Sequence, residues 1–286
     1  NANENRDVAT ADVTGAFLKG DMEDFVLIKL IDKEVDIMCK VDSIYEQYIV
    51  NEGKHKVIYM ELNKALYGCM KSAIIWYETF VKTLKGLDFK PNPYDPCVAN
   101  LTMDGQTLTI AWYVDDCKIS HKDPKVVDWL IEEIEKVHGK MTVTRGKKHV
   151  FVGMMIEYLG KGKVSIIMKD YLGECIEVSG IEVSEGVKTP ATKDLFEIDT
   201  NSPLLPEDKH NLFHHIVAKL LFMAKRARIN IALTIAFLCT RVSKSTEQDW
   251  NKLAHLLKYL HSTIDMPRIL QANDLTVLQT WVDASY

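Results

Sequence analysis

Leu108-Thr109-Ile110-Ala111-Trp112-Tyr113-Val114-Asp115-Asp116-Cys117-Lys118-Ile119 is the stretch that decides how the rest of the chain is read. Leu108, Ile110, Trp112 and Val114 alternate with Thr107, Thr109, Ala111 and Tyr113, the period of a strand with one apolar face. Two adjacent carboxylates interrupt the pattern, and apolar character resumes at Ile119. On an uninterrupted strand Asp115 and Asp116 would point to opposite faces. A tight hairpin at Asp115-Asp116 instead projects both from one tip, with strands packed behind them. Carboxylates so close repel unless solvated or neutralised, and a hard divalent cation is the usual neutraliser. Taken alone, the dipeptide reads more simply as a polar hairpin turn, where Asp is common.

A second segment changes that balance. Arg6-Asp7-Val8-Ala9-Thr10-Ala11-Asp12-Val13 is short and β-like and brings an Asp to its end, followed by Thr14-Gly15-Ala16-Phe17-Leu18-Lys19-Gly20. A strand-end carboxylate meeting a hairpin-tip carboxylate would form the oxygen cage of a two-metal phosphoryl-transfer site, with ions about 3.5–4 Å apart. Nothing in the spacing itself brings Asp12 and Asp115 together.

The match that does so runs along nearly the whole chain. In order come Asp12-Val13-Thr14-Gly15-Ala16-Phe17-Leu18-Lys19-Gly20-Asp21, Leu66-Tyr67-Gly68-Cys69-Met70-Lys71-Ser72-Ala73-Ile74-Ile75-Trp76-Tyr77, Tyr113-Val114-Asp115-Asp116 and Phe151-Val152-Gly153. Lys188-Thr189-Pro190 and a tail ending in Trp281-Val282-Asp283-Ala284-Ser285-Tyr286 follow. In order and spacing these segments resemble the reverse transcriptase of copia-type LTR retrotransposons. Met70, Lys71, Ala73 and Ile74 depart from that family's commoner LYGLKQSPR pattern, while the Tyr-Gly pair and the Trp are kept.

The resemblance implies an α+β fold: a right-hand polymerase palm, an antiparallel sheet with helices on one face, with partial fingers. A helical thumb or connection and the first strand of a truncated RNase H domain would follow. The corresponding ranges are 1–160 for the palm and primer grip (fingers at about 22–60), 161–265 for the helical part and 266–286 for the RNase H start. It also implies that Asp12 and Asp115 hold two Mg²⁺ ions, with Mn²⁺ as an alternative and Asp116 as a weaker auxiliary. Val13, Gly15, Ala16, Phe17, Tyr67 and Gly68 would form the dNTP site, Phe17 being the aromatic that excludes a ribose 2′-hydroxyl. Phe151, Val152 and Gly153 would form the primer grip, and Asp283 would be an RNase H carboxylate whose partner acids are absent here. Without the resemblance, Phe17 reads as an ordinary core aromatic.

Composition bounds these expectations. The 286 residues suit one large or two modest domains, and 47% apolar content supplies a core. A net charge of −5 is unexpected for a nucleic-acid binder, but nine Lys/Arg stand against two acids from Lys209 to Leu260. That segment is either a basic binding surface or a solvated helical face. Six scattered cysteines without a CxxC pair suit reduced thiols better than zinc or disulfides. The most apolar run, Ile229–Cys239, is interrupted by Asn230 and Thr234 and is too short to span a membrane. The chain opens on Asn1 close to a functional motif, as a fragment would, and the family's upstream fingers segment is not in it.

Local patterns predict strands at Phe25–Ile31 and Val57–Leu62 and a helix over Leu66–Leu84. A second helix is capped by Asp123 and Pro124, buries Val127, Leu130, Ile131, Ile134 and Val137, and ends at Gly139. A strand is expected over His149–Tyr158 and a linker at Ser202–Pro206. Helices at about 209–228, 229–242 and 246–261 follow, the last with Ser245 or Thr246 and Asp249 as a capping pattern. His210, His214 and His215 lack a matching Cys or carboxylate and read as helix surface.

The expected function is RNA-directed DNA polymerisation, using an RNA or DNA template with primer, dNTPs and other Pol and Gag products of the element, and no membrane. Family membership would place it in a cytoplasmic virus-like particle with nuclear delivery of DNA. The alternatives are a catalytically dead remnant that binds nucleic acid or assembles with element proteins, and a two-metal nuclease or phosphotransferase sharing only the Asp pair.

Overall fold

A computed structural model describes residues 1–272, 276–277 and 280; Asp283 lies outside the described residues. The chain is mixed α+β with antiparallel sheets and divides into two compact units. Ala9–Thr144 forms one of them. Its elements are β1 (Asp7–Val13), β2 (Leu27–Ile31), α1 (Lys33–Val41), β3 (Val50–Glu52), β4 (His55–Glu61), α2 (Ser72–Gly86), β5 (Lys90–Pro91), β6 (Val98–Met103), β7 (Gln106–Tyr113), β8 (Asp116–His121), α3 (Pro124–His138) and β9 (Met141–Arg145).

The main sheet has the order β5-β6-β7-β8-β1-β9, which seats the Asp12 strand beside the Asp116 strand. Alternate residues of three neighbouring strands (Ala9, Ala11 and Val13; Leu108, Ile110 and Trp112; Cys117 and Ile119) are buried. They share one core with Trp76, Phe80 and Leu84 of α2 and Val127, Leu130 and Ile134 of α3. Phe80 is fully buried, so truncating it to Ala costs about 3–5 kcal/mol. The remaining strands form a small sheet, β2-β4-β3. α1 lies between the two predicted strands, where the sequence reading places no helix.

Two boundaries differ from the sequence reading. α2 begins at Ser72 and not at Leu66, because Gly68 adopts φ +97 and the preceding turn cannot continue a right-handed helix. In α3 the Asp123 side chain accepts from Lys125 N–H at 2.9 Å and Gly139 (φ +84) ends the helix, as expected. The buried stripe, however, passes through His138, 3% exposed, and leaves Val137 62% exposed. Positions 127, 131, 134 and 138 follow the 3.6-residue turn, and 137 falls beside it.

Asn1–Val8 and Arg145–Tyr286 form the second unit. It contains β10 (Lys148–Phe151), β11 (Met154–Gly160), β12 (Lys163–Ile167), α4 (Lys169–Ser179), α5 (Glu207–Arg226), α6 (Ala232–Arg241), α7 (Glu247–Ser262) and β13 (Arg268–Gln271). The predicted single strand His149–Tyr158 is a hairpin, with Phe151 paired to Met154 and a two-residue turn at Val152-Gly153. Both turn residues have positive φ, +51 and +70, the requirement of a type I′ turn. β13, within the segment read as an RNase H start, pairs with β12.

The four helices enclose a second core around Phe213, Ile216, Leu220, Leu238 and Leu256. The capping residue of α7 is Thr246, which forms a reciprocal pair with Asp249, while Ser245 instead meets His210 Nδ1 at 2.8 Å. Ser202–Pro206 is not a free linker. Leu205 N–H donates to the Ser245 carbonyl at 3.0 Å, and Ser202 Oγ accepts from Gln248 N–H at 3.0 Å, so the segment is fastened to the start of α7.

Candidate active site

β1 delivers Asp12 next to last in the strand. Ala11 and Val13 face the helices, so Asp12 projects from the opposite face of the sheet. On β8 the core-facing residue is Cys117, and Asp116 therefore projects to the same side as Asp12. The hairpin turn is Val114-Asp115, with Tyr113 and Asp116 as its closing pair, and not Asp115-Asp116. One carboxylate thus sits in the turn and the other opens the returning strand. Val13 N–H donates to the Asp115 carbonyl at 3.0 Å and joins the end of β1 to the turn.

Cys117 is fully buried, and its Sγ lies 3.9 Å from the Asp115 carbonyl. Burial pushes its thiol far above the ordinary range, and the charges of Asp116, Asp115 and Asp12 push in the same direction. Among the described residues no group of three or more His, Cys, Asp or Glu side chains is gathered to hold a metal ion. Asp12 makes no ion pair among the described residues. Carboxylate oxygens are hard donors suited to Mg²⁺, an ion that is commonly bound by one or two carboxylates plus substrate phosphates and water. The donor chemistry therefore fits such an ion without a complete protein cage.

Tyr67 stands over this edge. Its hydroxyl donates to Asp115 Oδ2 at 3.1 Å, and its ring centroid lies 4.4 Å from that of Phe17. Burial first, then the negative charges of Asp115 and Asp12, raise the Tyr67 phenol pKa. Gly15, at φ +66, turns the chain from β1 into the short 3-10 helix Ala16–Lys19. Phe17 is half-buried and Ala16 fully buried in the core, so Ala16 faces inward. Val13 is also fully buried and reaches the site through its backbone. Gly68 is exposed beside Tyr67. Two contacts gave no sequence signal beyond residue type: Tyr67 to Asp115, and Trp76 Nε1–H to the Val114 carbonyl at 2.6 Å.

Phe151, Val152 and Gly153 lie in the other compact unit, on the tip of the β10–β11 hairpin. The basic segment in that unit is largely engaged internally. Lys209 pairs with Glu247 at 2.9 Å, Lys219 with Glu174 at 2.7 Å and Arg241 with Asp249 at 3.1 Å. Arg226 lies over the Phe222 ring, Arg228 donates to the Thr263 carbonyl, and Lys252 donates to the Glu197 carbonyl. Six of its nine cations are so held. Among the described residues Lys225, Lys244 and Lys258 have no such contact.

The family model for reverse transcriptase (RNA-dependent DNA polymerase) matches residues 1–193, and the chain belongs to that family. The putative transposon Ty5-1 protein of Saccharomyces cerevisiae is 26% identical over 239 residues, covering 83% of this chain and 75% of that protein. The retrovirus-related Pol polyprotein from transposon RE2 of Arabidopsis thaliana is 22% identical over 282 residues. That match covers 96% of this chain but 17% of the polyprotein, so the chain spans about one sixth of its length. The relatives are transposon proteins, and the sequence reading of a retrotransposon reverse transcriptase agrees with them. No helix among the described residues is long and apolar enough to cross a membrane.

Proposed function

We propose that Ala9–Thr144 carries the nucleotidyl-transfer site of an RNA-directed DNA polymerase within a copia-type Pol polyprotein. The observation that carries this reading is the Val13 N–H to Asp115 carbonyl bond, which seats the Asp12 strand against the Asp115 turn. On this reading the six-stranded sheet with α2 and α3 is the palm, the β2-β4-β3 sheet belongs to the fingers, and the helices of the second unit are the thumb or connection.

Asp12 and Asp115 would hold Mg²⁺ or Mn²⁺, with Asp116 adding charge beside them. When bound, such ions activate the primer 3′-hydroxyl and steady the departing pyrophosphate. The chain's own residues do the positioning. Phe17 and Tyr67 offer the aromatic floor on which the sugar of a dNTP would rest, and the exposed Gly68 backbone allows close approach by the base pair. Phe151, Val152 and Gly153 would hold the primer 3′ end, and the template–primer would be the macromolecular partner. Association with other Pol and Gag products, a virus-like particle and nuclear delivery belong to the same reading.

The test is Mg²⁺-dependent dTTP incorporation on poly(rA)/oligo(dT), by this chain and by a version extended upstream, each beside Asp115→Asn. Losing about 4 kcal/mol of transition-state stabilisation corresponds to roughly a 10³-fold fall in rate for the variant. Incorporation that survives the substitution would overturn the assignment of Asp115. Template–primer binding without incorporation in either version would favour a binding remnant.

A further inference from the structure

We propose that Trp76 is a positioning residue: its indole N–H selects the conformation of the Val114-Asp115 turn and thereby the direction of Asp115. The inference deepens the polymerase reading and rests on it only for its functional consequence. A two-residue hairpin admits two main forms, which differ by a flip of the central peptide. In the II′ form only the first central residue has positive φ; in the I′ form both do. Val114 has φ +56 and Asp115 is not in the positive-φ region, the II′ pattern.

The Val114 side chain does not favour that choice by itself. The first position of a II′ turn is ordinarily glycine, and a β-branched residue at positive φ is strained by about 1–3 kcal/mol. Asp, by contrast, tolerates positive φ better than most residues, so the flipped form is open to Asp115. The group that changes direction between the two forms is the central carbonyl, that of Val114. Trp76 Nε1–H donates to that carbonyl at 2.6 Å.

The donor is rigid. Trp76 is 1% exposed, stacked on Phe80 with ring centroids 5.2 Å apart and met edge-on by His138, also at 5.2 Å. Flipping the peptide would leave the buried indole N–H without its acceptor, a penalty that holds the carbonyl where it is. The Val13 N–H bond to the Asp115 carbonyl then ties the selected turn to the Asp12 strand. Trp76 acts on the carboxylate through the backbone and touches no reacting atom.

The deciding measurement is the Asp115 backbone in crystal structures of the full chain carrying Trp76→Phe, and of Trp76→Phe combined with Val114→Gly. A third protein with benzothienylalanine at position 76 keeps the indole's shape without its N–H and guards against misfolding of the Phe variant. Asp115 should move to positive φ when the N–H is removed. It should return to negative φ when Val114→Gly restores the local preference for the II′ form. An Asp115 that keeps negative φ without the N–H overturns the proposal, as does a flipped turn that Val114→Gly fails to reverse.

Mn²⁺ affinity, read by loss of the free-ion electron paramagnetic resonance signal, should fall about tenfold in Trp76→Phe and recover in the double variant. A merely structural Trp would leave a cavity that Val114→Gly cannot repair. A wild-type chain that binds no Mn²⁺ would remove the polymerase reading and leave the turn result to stand or fall on the crystal structures.

Discussion

The Tyr67 hydroxyl donates to Asp115 Oδ2 at 3.1 Å while its ring lies 4.4 Å from that of Phe17, so one side chain touches both the carboxylate and the Phe17 ring. Tyr67→Phe keeps the ring and removes one hydrogen bond, worth a net of about 0.5–1.5 kcal/mol. Steady-state dTTP incorporation should fall roughly 2- to 10-fold. Tyr67→Ala also removes the support of Phe17, and discrimination between dTTP and UTP should drop. Unchanged discrimination in Tyr67→Ala would separate Phe17 from its neighbour. The raised phenol pKa keeps the O–H donor intact through neutral pH, and its contribution is lost only as pH rises above the ordinary tyrosine range near 10.

His138 predicts an acid limb in stability. It is buried against Trp76 and Phe80 and meets Thr83 Oγ1 at 2.9 Å; burial, then the charge of Lys19, lowers its pKa. The fold therefore favours the neutral ring. Its contribution is complete above the unfolded value, about 6.5, and declines as pH falls from there through the lowered folded value. Urea denaturation between pH 7.5 and roughly 5 should show this loss in the wild type and a flatter profile in His138→Gln. Parallel profiles would exclude His138 as its source.

In the second unit, Asp249 is 1% exposed and serves two partners, the α7 cap at Thr246 and Arg241 Nε at 3.1 Å. Removing one partner of a buried pair leaves an uncompensated charge and costs about 3–5 kcal/mol. Arg241→Ala should show a loss of that size in urea melts. A loss under about 1 kcal/mol, the figure for a surface pair, would mean that the cap alone satisfies Asp249.

The internal pairing of the basic segment limits its part in nucleic-acid binding. Each phosphate neutralised contributes about −0.9 to the slope of log K against log salt on a duplex. With Lys225, Lys244 and Lys258 left, the segment can supply at most about −2.7. Fluorescence anisotropy of a template–primer should show the slope shrinking by no more than that in Lys225→Gln/Lys244→Gln/Lys258→Gln. A larger change would require cations that the structure engages elsewhere.

The site was partly legible in the residues themselves. Alternation from Leu108 to Trp112 marked a strand with one buried face, and the cap and stop of α3 at Asp123, Pro124 and Gly139 were read correctly. The turn was misplaced by one residue. Val at a positive-φ position runs against its local preference, and that conformation is held by contacts distant in sequence. For the same reason Phe151–Gly153 read as strand: nothing in Val152 announces a left-handed turn. The basic segment stayed open between a binding surface and a solvated face, because partners from outside it, the Glu174 carboxylate and the Glu197 carbonyl, reach it only after folding.

By itself the sequence determined the family, because Asp12, Tyr67-Gly68 and Tyr113-Val114-Asp115-Asp116 are residue types in an order that survives without coordinates. It also determined most elements, since periodicity and capping are local. Only the tertiary structure decided that the Asp12 strand lies beside Asp116, that Tyr67 reaches Asp115, and that Trp76 holds the Val114 carbonyl. Those relations join residues 38 to 104 positions apart, and they follow from the packing of α2 and β1 on a shared core, which no local pattern encodes.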